Sequence, residues 1–149
     1  MTYLPKQPTT DDELKQYFYF RWKLLRKPWN EPEGSEQDDI EEECFHVMIC
    51  NENNQCVGVG RLQFNTENEA QIRYMAVAKK FERKGIGKKI VDALEKRAKE
   101  KNITSIILDA REPAVGFYEK LGYAIKEKTY LLFDSIQHYR MTKDIQTDK

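Results

Sequence analysis

An apolar run, YMAV, leads through AKK into FERKGIGKKI and from there into a long stretch of helical period, and this junction restricts the fold more than any other part of the chain. A strand ending on a glycine turn where a helix begins calls for a sheet with helices packed on it, so the chain reads as α/β. From Gly85 to Asn102 the residues Ile86, Ile90, Val91, Leu94 and Ala98 form one helical face, with Lys88, Asp92, Glu95, Lys96 and Lys99 largely opposite. The turn suits an anion. The first helical N–H groups lack partners and the helix dipole is positive there, so backbone can bind a phosphate where glycine keeps side chains out of its path. Arg83, Lys84, Lys88 and Lys89 add positive charge.

Upstream the period is that of strands. FHVMIC and VGVGRLQF are separated by the turn NENNQ, and NTENE leads into AQIRYMAV, which together predict consecutive antiparallel strands. In the last of them Gln71, Arg73, Met75 and Val77 share one face, and Ile72, Tyr74 and Ala76 the other. Before these strands, Asp11 to Lys27 is expected to be a helix with Leu14, Tyr17, Phe18, Trp22 and Leu25 on its apolar stripe. The acidic stretch NEPEGSEQDDIEEE reads as a solvated loop running into a short polar helix. Downstream, SIILDA is a buried strand and PAVGFYEKLGY a short helix closed by Gly122, while AIKEKTYLLF and HYRMTKDI are further strands. The expected whole is a single domain over residues 1–149, of class α/β (α+β), with a mixed, mostly antiparallel sheet and helices on both faces.

Composition excludes several classes of function. The 149 residues suit one domain, and 25 basic residues balance 25 acidic ones, so no overall field draws the chain to nucleic acid or an anionic membrane. No apolar run approaches the roughly 18 residues of a membrane span, and the start MTYLPKQPTT lacks a signal core, so a cytoplasmic location is expected. Cys44, Cys50 and Cys56 suggest neither a disulfide framework nor a zinc site, and they are read as reduced thiols; Cys50 and Cys56 flank the NENNQ turn. No metal is expected.

Among anion-binding motifs, a phosphate loop of the form GxxxxGK[ST] fails, because Lys89 follows Lys88 and Glu82 stands five before Gly87. A dinucleotide fingerprint needs a further glycine where Ile90 stands. RYMAV, ERKGIGKKI and AVGFYEKLGY, in that order and at that spacing, resemble the GNAT superfamily of acyl-CoA-dependent N-acetyltransferases, close to a bacterial subgroup, and the resemblance covers most of the chain. It implies direct transfer of an acetyl group from acetyl-CoA, a co-substrate needing no metal, to a primary amine of an acceptor. It implies that the backbone at Met75, Ala76 and Val77 pairs with the pantetheine arm. The N–H groups of Arg83, Lys84, Gly85, Ile86, Gly87 and Lys88 would hold the pyrophosphate, and Phe117 and Tyr118 would lie by the thiol. A small-molecule amine is the implied partner, and a homodimer is compatible with the family. The chain departs from the family pattern at Glu82, where Gln or Arg is usual, and at Arg111, where Asn is frequent.

Acetyl transfer to an amine requires proton removal from nitrogen and a proton or hydrogen bond for the departing sulfur. Tyr118 matches the family's general-acid tyrosine; it shares a helical side with Ala114 and Leu121, and Phe117 and Tyr123 beside it are read as packing residues. The base is open. Some relatives use a glutamate where this chain has Gln71, which cannot take a proton, so His46 and His138 are the alternatives, and HYRMTKDI resembles a subgroup's last strand in which a histidine opens the strand. On the acceptor side the candidates are Arg61, Gln71 and Arg73, the arginines being equally readable as salt-bridge partners of the acidic stretch. Rival functions are a catalytically idle acyl-CoA-binding module and a nucleotide-binding interaction domain using GIGKK.

Overall fold

The computed structural model describes residues 3–133 and 136–146. Its helices are α1 (Asp11–Leu25), α2 (Ile86–Glu100) and α3 (Val115–Lys120). Its strands are β1 (Phe45–Cys50), β2 (Cys56–Phe64), β3 (Glu69–Val77), β4 (Ser105–Arg111), β5 (Ala124–Leu132) and β6 (Ile136–Asp144), in the sheet order β1-β2-β3-β4-β6-β5. The sheet is mixed and mostly antiparallel, with β3 and β4 parallel from Glu69 opposite Ser105 to Ile72 opposite Leu108. Backbone contacts divide the chain into one compact unit of residues up to Leu62 with Tyr74–Leu94, and another of Gln63–Arg73 with the chain from Glu95 onward.

In the first unit α1 begins on a capping box. The Thr10 hydroxyl accepts the Glu13 N–H at 3.1 Å and the Glu13 carboxylate accepts the Thr10 N–H at 3.1 Å, satisfying donors the helix cannot. Lys6 joins at 2.8 Å, and its hydrogen bond, with those from Thr9 and Thr10, holds the Glu13 carboxyl down at about 2. The helix stops at Leu25, before the expected Lys27, because Pro28 imposes a tighter turn over Lys27–Trp29 that ends with Asn30 at φ 59°. Its deepest face is Tyr17, Phe20 and Arg21, rotated from the expected stripe of Leu14, Phe18, Trp22 and Leu25, which are only half-buried. Arg21 causes the rotation, since its guanidinium is drawn inward by Glu41.

Strand β2 carries the seat for α2. A Cβ at Gly58 would lie 2.8 Å from Ile86 Cγ2, and one at Gly60 would lie 2.6 Å from Ile90 Cγ2 and 2.8 Å from the Met75 sulfur. The alternation VGVG therefore lets the apolar face of α2, with Ile86, Ile90, Val91 and Leu94 all buried, sit directly on the strand. In β3 the buried positions are Ala70, Ile72 and Ala76. Tyr74 breaks the alternation at φ 55°, a left-handed conformation rare for an aromatic residue. Cys50 and Cys56 stand opposite each other in the β1–β2 register as free thiols, and burial pushes the Cys56 thiol up to about 12.

In the second unit β4 is buried over Ile106, Ile107, Leu108 and Ala110, and it pairs with β6 so that Arg111 faces His138. Glu95, expected on the solvated face of its helix, is buried instead; it accepts the Tyr123 hydroxyl at 2.8 Å and the Lys143 ammonium at 3.1 Å. Lys143 also donates to the Leu121 carbonyl at 2.8 Å, which ties down the end of α3 where Gly122 turns at φ 97°. Tyr123 is core, as expected, but Phe117 is exposed, because α3 is one short helix whose inward side is taken by Tyr118. No helix among the described residues is long and apolar enough to cross a membrane.

Candidate active site

The turn before α2 has the geometry of an anion cradle. Arg83 at φ 65° and Gly85 at φ 78° alternate with ordinary residues, a pattern that turns successive N–H groups to one side. The first helical bond runs from the Lys89 N–H to the Gly85 carbonyl at 3.1 Å, and the N–H groups of Arg83, Lys84, Gly85, Ile86 and Gly87 have no acceptor among the described residues. A Cβ at Gly85 would meet nothing within 4 Å, and no acidic residue stands in the first turn of α2 to occupy its positive end. Arg83, Lys84 and Lys88 are exposed around it, and so is Glu82. Lys88 reaches Asp92 at 2.8 Å, a surface pair that leaves its charge near the turn. Met75 and Val77 are half-buried in β3, on either side of buried Ala76.

In the other unit the structure places Tyr118 and His138 inside. Tyr118 is 6% exposed, edge-on to Phe117 at 4.9 Å and to Tyr123 at 5.9 Å. Burial raises its pKa, against the opposing charge of Arg111, so the phenol keeps its proton at neutral pH. Its hydroxyl makes no hydrogen bond to the described residues, unlike the hydroxyl of Tyr123. His138, 5% exposed, donates from Nδ1 to the Ile136 carbonyl at 3.0 Å and stacks on Tyr130 at 4.4 Å. A carbonyl only accepts, so the neutral ring carries its proton on Nδ1 and its lone pair on Nε2. Burial, with Arg111 assisting, lowers its pKa below the ordinary 6.5.

Of the residues expected on the acceptor side, Gln71 is half-buried and accepts the Asn65 amide at 3.1 Å, and Arg73 is half-buried on the same strand. Arg61 has the salt-bridge form of its two readings. It is fully buried, gripping Asp38 through both terminal nitrogens at 2.8 and 2.9 Å and Glu41 at 2.9 Å. Arg21, equally buried, binds both oxygens of Glu41 at 2.9 and 2.7 Å and donates to the Glu36 carbonyl. Tyr74 lies beneath them, 3.8 Å from the Arg21 guanidinium and 4.7 Å from that of Arg61. The acidic stretch is thus bound to protein in part, a correction to its reading as a solvated loop, because two buried guanidiniums need carboxylates. His46 is also spoken for. Its Nε2 donates to the Glu41 carbonyl at 2.7 Å and its Nδ1 accepts the Tyr17 hydroxyl at 2.7 Å, so no ring nitrogen is left to act as a base. Sequence reasoning missed Arg21, Glu41 and Tyr74. The available signal was an arginine set within FYFRW, on a face that should be apolar, with an acidic run downstream.

The model of the Acetyltransferase (GNAT) family matches residues 11–123. Among curated proteins, the chain is 34% identical to the uncharacterized protein YyaT of Bacillus subtilis (strain 168), over 94% of this chain and 95% of that one. It is 32% identical to the uncharacterized N-acetyltransferase YjcF of the same organism, over 90% of this chain and 94% of the relative. Among solved structures, an acetyltransferase of the GNAT family from Staphylococcus aureus Mu50 superposes with a TM-score of 0.78 at 17% identity, covering 96% of this chain and 99% of that one. An acyl-CoA N-acyltransferase from Pseudomonas aeruginosa gives a TM-score of 0.77 at 19% identity, covering 95% and 98%. These structural likenesses concern the fold.

Proposed function

Since the chain belongs to the GNAT acetyltransferase family, we propose that it transfers an acetyl group from acetyl-CoA directly to a primary amine of a small acceptor, acting in the cytoplasm as a single catalytic domain. The observation that carries this reading is the row of N–H groups from Arg83 to Gly87 without an acceptor among the described residues, at the positive end of a helix with no acid in its first turn. Backbone donors left open in this way fit a diphosphate, and Arg83, Lys84 and Lys88 supply counter-charge. Acetyl-CoA, when bound, supplies an activated acyl group on a thiol leaving group. By the family pattern the backbone of Met75, Ala76 and Val77 is assigned to its arm, and Phe117 and Tyr118 to its thiol end.

The chain's own residues then move protons. Tyr118, protonated at neutral pH and with its hydroxyl engaged by no group among the described residues, gives a proton or hydrogen bond to the departing sulfur. His138, neutral at the same pH, takes the proton of the amine at Nε2, while the Ile136 carbonyl sets the tautomer and the Tyr130 ring packs on the imidazole face. Gln71 and Arg73 are assigned to the acceptor, and Arg61 supports the site by fixing Asp38 and Glu41. Gly87→Glu tests the premise. A glutamate in the first turn of α2 favours the helix through its dipole, so the free protein should melt no lower, yet its carboxylate repels the phosphates. The rise in melting temperature that acetyl-CoA gives the wild type should vanish in the variant. An undiminished rise would remove the turn from the cofactor site.

A further inference from the structure

The turn NENNQ closes so that the two cysteines flanking it face each other. Within it the Asn51 N–H donates to the Gln55 carbonyl at 2.9 Å and the Asn54 N–H to the Asn51 carbonyl at 3.0 Å, with Asn54 at φ 64°. A short loop ending on a left-handed residue fixes the register of the strands it joins. Opposed residues in an antiparallel pair alternate between hydrogen-bonded and unbonded, and because Asn51 and Gln55 are bonded, Cys50 and Cys56 are the unbonded pair beside them. The Cys56 N–H agrees, since it goes to the Gln16 side chain at 3.2 Å. Unbonded pairs are the closer kind, with Cα atoms about 4.5 Å apart, inside the range of about 4.4 to 6.8 Å that a disulfide spans.

Both side chains pack, half-buried, against the same cluster of Tyr17, Phe20, Met48, Val59 and Ala76. Cys44 cannot compete for either. It stands at the far end of β1 from Cys50, about 20 Å away at about 3.3 Å per residue, and its thiol donates to the Ile40 carbonyl at 3.2 Å. We propose that Cys50 and Cys56 form a reversible dithiol–disulfide site, closed by a small-molecule disulfide such as oxidised glutathione and reopened by a thiol. The Cys50 thiolate attacks one sulfur of the oxidant, whose S–S bond breaks; a mixed disulfide forms, and one glutathione thiolate leaves and takes up a proton. The Cys56 thiolate then attacks the Cys50 sulfur, and the second glutathione leaves in the same way. Two protein thiols have given up two electrons and two protons, and one oxidant molecule has become two thiols. Cys50 begins because burial weighs most on Cys56, raising its thiol to about 12, whereas at Cys50 the Lys6 ammonium opposes the burial. Closure is a property of the hairpin and does not depend on acyl transfer.

The test is incubation of the folded full chain with excess oxidised glutathione, an acid quench, and mass spectrometry of the intact protein. The expected product is a monomer lighter by about two mass units that has lost two of its three thiols, and dithiothreitol should restore it fully. Cleavage after Phe45 and Glu52 separates the three cysteines, and the bridge should join the fragments that hold Cys50 and Cys56. Cys56→Ser leaves Cys50 without its resolving thiol, so that variant should stop at a single glutathione adduct. A wild-type adduct that persists without closing, a bridge that includes Cys44 or joins two chains, thiols that stay free in excess oxidant, or no adduct in Cys56→Ser each overturns the proposal.

Discussion

Glu41→Gln removes a single charge from the centre of the buried arginine cluster. In the native protein the Glu41 carboxylate holds Arg21 at 2.9 and 2.7 Å, Arg61 at 2.9 Å and the Asp38 N–H at 3.1 Å, and both guanidiniums are fully buried. Arg61 keeps Asp38, but Arg21 loses its carboxylate. Removing one partner of a buried ion pair costs about 3 to 5 kcal/mol, because the other charge stays out of water uncompensated. At about 3 °C per kcal/mol for a chain of this length, the melting temperature should fall by about 9 to 15 °C. Glu42→Gln, in the same short turn but exposed, should stay within about 0.5 kcal/mol of wild type. The pH dependence carries a sign. Burial alone would raise the Glu41 pKa, but the hydrogen bonds and charge of Arg21 outweigh it, with Arg61 assisting, and the carboxyl lies below its ordinary 4.5. Its stabilisation is therefore complete above pH 4.5 and is lost as pH falls through the lowered value, so the gap between wild type and variant should close in acid. Thermal melts of wild type and both variants from pH 7 to pH 3 measure this. A neutral-pH shift no larger for Glu41→Gln than for Glu42→Gln would show that the cluster is not held by charge.

Tyr118→Phe keeps the ring packed on Phe117 and Tyr123 and removes only the hydroxyl, so turnover should fall about 10- to 1,000-fold with acetyl-CoA affinity nearly unchanged; wild-type turnover would return the residue to packing alone. For His138, whose neutral form is the proposed base and whose pKa is lowered, kcat/KM should rise with pH through an ionisation below 6.5, and His138→Ala should remove that limb. A limb that persists in the variant would assign it to another group. Gly60→Ala places a methyl 2.6 Å from Ile90 and 2.8 Å from the Met75 sulfur, for a loss of about 1 to 3 kcal/mol by denaturant titration, whereas Gly116→Ala, with nothing within 4 Å, should be neutral or mildly stabilising. Equal effects at the two glycines would mean that α2 does not rest on β2.

Local pattern determined the elements and the anion turn. Period alone placed β1 to β4, the apolar face of α2 and the C-terminal glycine of α3, because each depends on neighbours within a few residues. The glycine turn before α2 was legible for the same reason: glycine at Gly85 and cations beside it are a property of one short segment, and the φ of 78° is what that glycine permits. Charge placement was decided elsewhere. The aromatic setting of Arg21 in FYFRW hints at burial but names no partner, and nothing near Glu95 does either; Arg21 goes inside because Glu41, distant in sequence, comes to meet it, and Glu95 because Lys143 and Tyr123 do. The same holds for the histidines. In sequence His46 and His138 are both candidates for a base, with the resemblance of HYRMTKDI favouring His138; the tertiary structure adds that both ring nitrogens of His46 are closed by Tyr17 and a backbone carbonyl, whereas Nδ1 of His138 meets the Ile136 carbonyl. Ionisable groups answer to partners brought together by folding, since a buried charge or lone pair must be satisfied wherever the chain supplies the matching group.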